Sequence, residues 1–134
     1  MTILPDTSVW SLLLRRDAPS GDPRVAALER GLLGGERVAT TGPILQELLQ
    51  GFARPSAREQ IIESFGALEM IQPTTADHLE AAGLRDTCRR AGVPLGTVDA
   101  LIAALCVRRD LVLLTADEDF TGAAKHCALR LWGG

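Results

Sequence analysis

The chain has 134 residues, 46% hydrophobic and 23% charged, and a formal net charge of −3. That length is enough for one folded domain with a real core, and the composition excludes a disordered chain. No apolar run approaches the ~20 residues that span a bilayer, and the acidic total does not by itself point to nucleic acid.

The opening MTILPDTSVWSLLLRR has no basic segment before its apolar stretch and no small-residue cleavage site after it. It reads as the first strand and helix of the mature fold, so a cytoplasmic protein is expected. Thr2 to Pro5 forms a strand ending at Asp6, and Thr7 and Ser8 are placed to cap the helix VWSLLLRR. DAPSGD is a turn-rich break before a helix over about Arg24 to Leu33, which Gly34-Gly35 stops. A short strand follows at Arg37 to Thr40.

From Pro43 onward Ile44, Leu45, Leu48, Leu49 and Phe52 mark a helical stripe. A further helix is expected over Ala57 to Phe65, capped by Ser56, and then a strand at Leu68 to Ile71. Thr75 to Ala91 reads as a long helix with Leu79, Ala82 and Leu84 facing inward and Gly92 as its stop. Val98, Leu101, Ile102 and Leu105 define a helix apolar on most sides and therefore central. Leu111 to Leu114 and Ala128 to Trp132 complete the strands. Strands alternating with helices predict an α/β fold whose mainly parallel sheet is covered on both faces, in one domain over residues 1–134.

The cysteines, Cys88, Cys106 and Cys127, are odd in number and show no C-x-x-C spacing. With only His78 and His126 to join them, structural zinc is disfavoured, and a reducing compartment is the simpler reading.

Four acids carry the functional signal: Asp6 in LPDTSVW, Glu47 in ILQELLQG, Asp99 in GTVDALIAAL and Asp117 in LLTADEDF. Each has an ordinary explanation on its own. Asp6 suits an Asx turn or helix cap, Glu47 a solvated helix face, Asp99 a first-turn acid and Asp117 a strand-end turn. Open α/β sheets, however, bind ligands just outside the carboxyl ends of their strands, where Asp6 and Asp117 both fall. If the four phrases meet, their charges repel by roughly 4 kcal/mol per pair about 4 Å apart at an effective dielectric near 20. A hard divalent cation with a preference for oxygen relieves that repulsion, and Mg²⁺ is the ordinary choice.

Taken in order, these phrases resemble PIN-domain ribonucleases, and more narrowly the VapC-type toxins of type II toxin–antitoxin pairs. The likeness runs through essentially the whole chain. It implies a three-layer α/β/α PIN fold around a parallel sheet of four or five strands. It also implies a Mg²⁺-dependent endoribonuclease, with Mn²⁺ able to substitute. By position, Asp6, Glu47, Asp99 and Asp117 match the acidic quartet, Asp6 and Asp99 as the most direct ligands. Thr7, Ser8 and Asp119 are secondary candidates. Hydrolysis at such a site leaves a 5′-phosphate and a 3′-hydroxyl. The rival route through the RNA 2′-hydroxyl needs histidine or lysine, and His78, His126 and Lys125 all lie outside the motifs.

Substrate contacts are less legible. Arg15, Arg16, Arg85, Arg89, Arg90, Arg108 and Arg109 are candidate phosphate contacts, against a solvated helix surface as the ordinary explanation. Trp10 and Trp132 sit in apolar contexts that suggest packing, so a structured RNA (tRNA, rRNA or mRNA) recognised by shape is favoured over base stacking. The resemblance also implies a cognate VapB-type antitoxin whose C-terminal segment wraps the toxin. Leu12 to Leu14 or the ILQELLQG helix would serve as its groove or as a homodimer seam. Two other functions compete: a PIN scaffold that binds protein or RNA without catalysis, and a phosphatase or phosphoacceptor using Asp6. The phosphatase version wants a second acid two residues on, where this chain has Ser8.

Overall fold

The computed structural model describes residues 1–15 and 21–133. Arg16 and most of the DAPSGD stretch lie outside the described residues. Five strands, β1 (Thr2–Pro5), β2 (Arg37–Thr41), β3 (Glu69–Ile71), β4 (Val112–Leu114) and β5 (Arg130–Leu131), form one sheet in the order β3-β2-β1-β4-β5. Every pairing is parallel, with Ile3 opposite Val38 on one side and Val112 on the other. Successive residues of a strand face opposite sides of the sheet, yet Ile3 and Leu4 are both fully buried, as are Leu113 and Leu114. Both faces are therefore covered, which makes the three-layer arrangement the sequence predicts.

The covering helices are α1 (Thr7–Leu14), α2 (Pro23–Leu32), α3 (Gly42–Gly51), α4 (Pro55–Gly66), α5 (Thr75–Arg90), α6 (Thr97–Arg109) and α7 (Glu118–Ala123). Proline at the first turn of α2, α3 and α4 supplies a fixed φ where the N–H has no partner anyway. Helix α6 is the central one, with an unbroken buried run from Ala100 to Cys106. Helix α4 starts from Arg54 as its N-cap with Pro55 in its first turn, so Ser56 lies inside the helix and does not cap it.

Helix α5 corrects the sequence reading. Its buried face is Asp77, Ala81, Leu84 and Cys88, while Leu79 is 71% exposed and Ala82 is also on the surface. The inward stripe contains an aspartate because Asp77 has partners there. It closes a capping box with Thr74, and it receives Arg108 Nε at 2.8 Å and Arg109 Nη2 at 2.7 Å from the last turn of α6. Burial pushes the Asp77 carboxyl up, but the Thr74 amide and the two guanidinium groups outweigh it and hold it well below the usual carboxylate range. This clamp ties α5 to α6, with Asp99 at the opposite end of α6. Gly92, at φ +83°, ends the α5 segment in the left-handed region that glycine enters freely.

The strand order reverses beside β1: the chain builds outward through β2 and β3, then returns to place β4 on the other side of β1. The crevice outside the carboxyl ends of β1 and β4 is thus the topological switch point of the sheet, where ligands of such folds bind.

Candidate functional site

β1 delivers Asp6 to that crevice. Its backbone N–H donates to the carbonyl of Leu114, the last residue of β4, at 3.0 Å, carrying the β1–β4 ladder one step past the end of β1. Asp6 then becomes the N-cap of α1, with Oδ1 accepting from the Val9 N–H. Thr7 and Ser8, expected to cap this helix, do other work. Ser8 Oγ donates to Asp6 Oδ1, and Thr115 Oγ1 donates to Asp6 Oδ2, each at 2.5 Å. The same two hydroxyls accept backbone N–H groups at 2.9 Å, Ser8 from Ala116 and Thr115 from Asp117. A hydroxyl has a single proton, so both are oriented with that proton toward Asp6.

Asp6 is only 4% exposed. Burial raises its pKa, the Ser8 and Thr115 hydroxyls and the Val9 amide oppose that, and the nearby charge of Asp117 adds to it; the net direction is upward.

Glu47 lies half-buried in the middle of α3, and Thr7 Oγ1 donates to its Oε1 at 2.9 Å across 40 residues of sequence. Asp99 lies half-buried in the first turn of α6. Its pKa is pushed up to about 6, first by burial and then by the charges of Asp117, Glu47, Asp6 and Asp119. Asp117 caps α7 and accepts from the Asp119 N–H at 2.9 Å, with Asp119 itself exposed.

The four acids of the sequence reading, and Asp119 with them, therefore share one electrostatic neighbourhood built from the ends of β1 and β4 and from α3, α6 and α7. Among the described residues, no basic side chain pairs with any of the five. Nor do three described His, Cys, Asp or Glu side chains form a finished group that would hold an ion. The donors are all carboxylate oxygens, and their mutual repulsion adds to burial in lifting Asp99, so the set fits a hard divalent cation.

Most of the candidate arginines have partners within the protein. Arg108 and Arg109 are committed to Asp77, Arg89 and Arg90 pair with Asp86, and Arg85 donates to the Leu95 carbonyl. Arg15 is exposed at the end of α1, and His78, Lys125 and His126 are exposed. Thr115 is the residue the sequence reading missed; its position two before Asp117 and at the end of a strand was the available signal.

Residues 3–126 match the family model described as the PIN domain. Two mycobacterial relatives, Ribonuclease VapC11 of Mycobacterium tuberculosis and VapC ribonuclease Mb1587 of Mycobacterium bovis, are each 33% identical over 133 residues, covering 96% of this chain and 96% of the relative. The chain belongs to the PIN domain family, among the VapC ribonucleases.

Solved PIN structures share its fold. VapBC-1 from nontypeable Haemophilus influenzae aligns with a TM-score of 0.75 at 20% identity over 98% of this chain and 97% of that one. VapBC2 from Rickettsia felis, bound to a promoter DNA fragment, gives 0.73 at 21% identity over 99% and 100%. Mycobacterium tuberculosis VapC20, a sarcin–ricin loop cleaving toxin, gives 0.66 at 20% identity over 96% and 98%. No described helix is long and apolar enough to cross a membrane.

Proposed function

We propose that this PIN domain is a Mg²⁺-dependent endoribonuclease, the toxin of a VapBC-type pair, hydrolysing RNA to 5′-phosphate and 3′-hydroxyl ends. The observation that carries the reading is that Asp6, Glu47, Asp99 and Asp117 come from separate elements to one crevice, where the Asp99 carboxyl is raised first by burial and then by the charges of Asp117, Glu47, Asp6 and Asp119. Residues far apart in the chain are close enough for their charges to add at the switch point of the sheet. Support comes also from the names of the relatives, both ribonucleases, and from solved neighbours that are VapBC complexes.

Asp6 and Asp99 are the primary metal ligands in this reading, and Glu47 and Asp117 complete the charge. A dication held by these four would supply a water of lowered pKa and positive charge to offset that on the phosphate and the departing 3′ oxygen. Ser8 and Thr115 each donate to one Asp6 oxygen, so the carboxylate is held in place before substrate arrives. Thr7 restrains Glu47 in the same way. The antitoxin partner would supply the charge the pocket lacks when RNA is absent.

The test is cleavage of total RNA by the purified chain, with the ends of the products sequenced. Asp6→Asn or Asp99→Asn should abolish cleavage with the fold intact. Full activity in EDTA, or 2′,3′-cyclic phosphate ends, contradicts the proposal.

A further inference from the structure

Beside the acidic centre lies a cavity of about 450 Å³ walled by Arg24, Leu113, Thr115, Thr121, Leu131 and Trp132. Its size falls in the range of small-ligand sites. Thr115 belongs to both places: it lines the cavity and it donates to Asp6 Oδ2. The cavity therefore opens next to the position where the acids would engage a phosphodiester.

Two of its walls have chemistry that packing does not use up. Arg24 is held as a fork by Asp22, with Nε 3.0 Å from Oδ1 and Nη2 2.9 Å from Oδ2, while Asp22 also caps α2 through the Arg24 N–H. The Arg24 side chain is still 38% exposed, so its remaining donors are fixed in direction and reachable. The Asp22 carboxylate is the main reason its charge is favoured, and Asp6 contributes as well, which places the guanidinium within electrostatic reach of the acidic centre. Trp132 is half-buried, unlike Trp10, which is 1% exposed and packed on Phe65 at a ring-centroid distance of 4.8 Å. Its backbone is pinned by an N–H bond to the Leu113 carbonyl at 2.8 Å, so the indole sits on a fixed base.

An indole, a guanidinium and hydroxyls around a nucleotide-sized space are the parts of a single-strand binding site. The strongly acidic centre repels the phosphate backbone, and a directed cation at its edge sets where the neighbouring phosphate lies. We propose that this cavity is a nucleotide subsite flanking the scissile bond, in which Trp132 stacks a base and Arg24 binds the adjoining phosphate. The subsite rests on the endoribonuclease reading for its place along the RNA, and it adds to the expected shape recognition a stacking contact that the apolar context of Trp132 concealed.

The experiment uses the ¹⁵N-labelled full chain and its indole N–H resonances, with Trp10 as an internal control and Trp132→Phe for assignment. Adenosine 5′-monophosphate should move the Trp132 signal and leave Trp10 in place, while ribose 5-phosphate should leave both. Arg24→Gln should weaken binding of a short oligoribonucleotide and lower the slope of log K against log salt by about 0.7, the value for one single-strand phosphate contact. In RNA cleavage, Trp132→Ala should raise KM by roughly 5- to 100-fold with little change in kcat, and Trp132→Phe should restore it. An unmoved Trp132 signal with adenosine 5′-monophosphate overturns the subsite, including the case where only a co-purified partner protein moves it. Asp99→Asn separates the two readings: its nucleotide-induced shift should match wild type, whereas persistence of its RNA cleavage would refute the catalytic assignment alone.

Discussion

Asp77→Asn is a demanding test of how α6 is held. The wild-type carboxylate is fully buried and accepts one charge-assisted hydrogen bond from each of Arg108 and Arg109. Hydrogen bonds to charged groups contribute about 1.5–3 kcal/mol each, and breaking a buried pair from one side costs about 3–5 kcal/mol. Two features pull the value toward the lower end. The arginine side chains are 40% and 35% exposed and can turn to water, and asparagine can still accept from the Thr74 N–H. The expected loss is about 3 kcal/mol at pH 7, or a melting point lower by roughly 10 °C for a domain of this size. The pH dependence gives the sign. Because the folded pKa lies below the unfolded one, the contribution is complete above the ordinary carboxylate range and is lost as pH falls toward the folded value. Urea unfolding of both proteins should show the gap narrowing by about 1.4 kcal/mol per pH unit once pH drops below the unfolded pKa. A gap under about 1 kcal/mol at pH 7, or one that does not change with pH, refutes the clamp.

Three further outcomes follow from the same geometry. Asp99→Asn should raise stability at pH 8 by on the order of 1–2 kcal/mol, since a carboxyl with its pKa lifted to about 6 destabilises the fold once ionised. That gain should vanish below pH 4, as thermal melts across the range would reveal. Thr115→Val should cost about 1–3 kcal/mol in chemical denaturation and at least roughly tenfold in cleavage, because it strands Asp6 Oδ2 and the Asp117 N–H; Thr115→Ser should recover both. Gly31→Ala should destabilise by about 1–3 kcal/mol, because the new Cβ would sit 2.5 Å from Val38 Cγ2, whose branched side chain has little freedom to move. A neutral or stabilised Gly31→Ala protein in a melt would show that α2 is not packed that tightly on β2.

The layers of the fold were legible because hydrophobic period and length separate strands from helices in this chain, and α6 and β4 are almost wholly apolar. Asp6 and Asp117 could be placed at strand ends by the same pattern. What escaped was decided by contacts remote in sequence. Helix α5 has few apolar residues, so its periodicity left the buried face open; Asp77 turns inward only because Arg108 and Arg109 wait more than thirty residues later. Helix α7 is six residues long, too short for a period to show, although Asp117 followed by two further acids is an N-terminal signature. Thr115 looks like the last residue of a strand, and its role depends on Asp6 being 109 positions away. The apolar neighbours of Trp132 suggest packing, but the residue is only half-buried.

Calorimetric titration of Mn²⁺ into the wild-type chain and into Asp99→Asn addresses the metal-binding claim most directly. Carboxylates that converge on the crevice outside the carboxyl ends of β1 and β4 predict saturable binding to the wild type and a large loss of affinity when one of them is made neutral. Equal titration curves for the two proteins, or no heat from either, would mean that these acids do not share an ion.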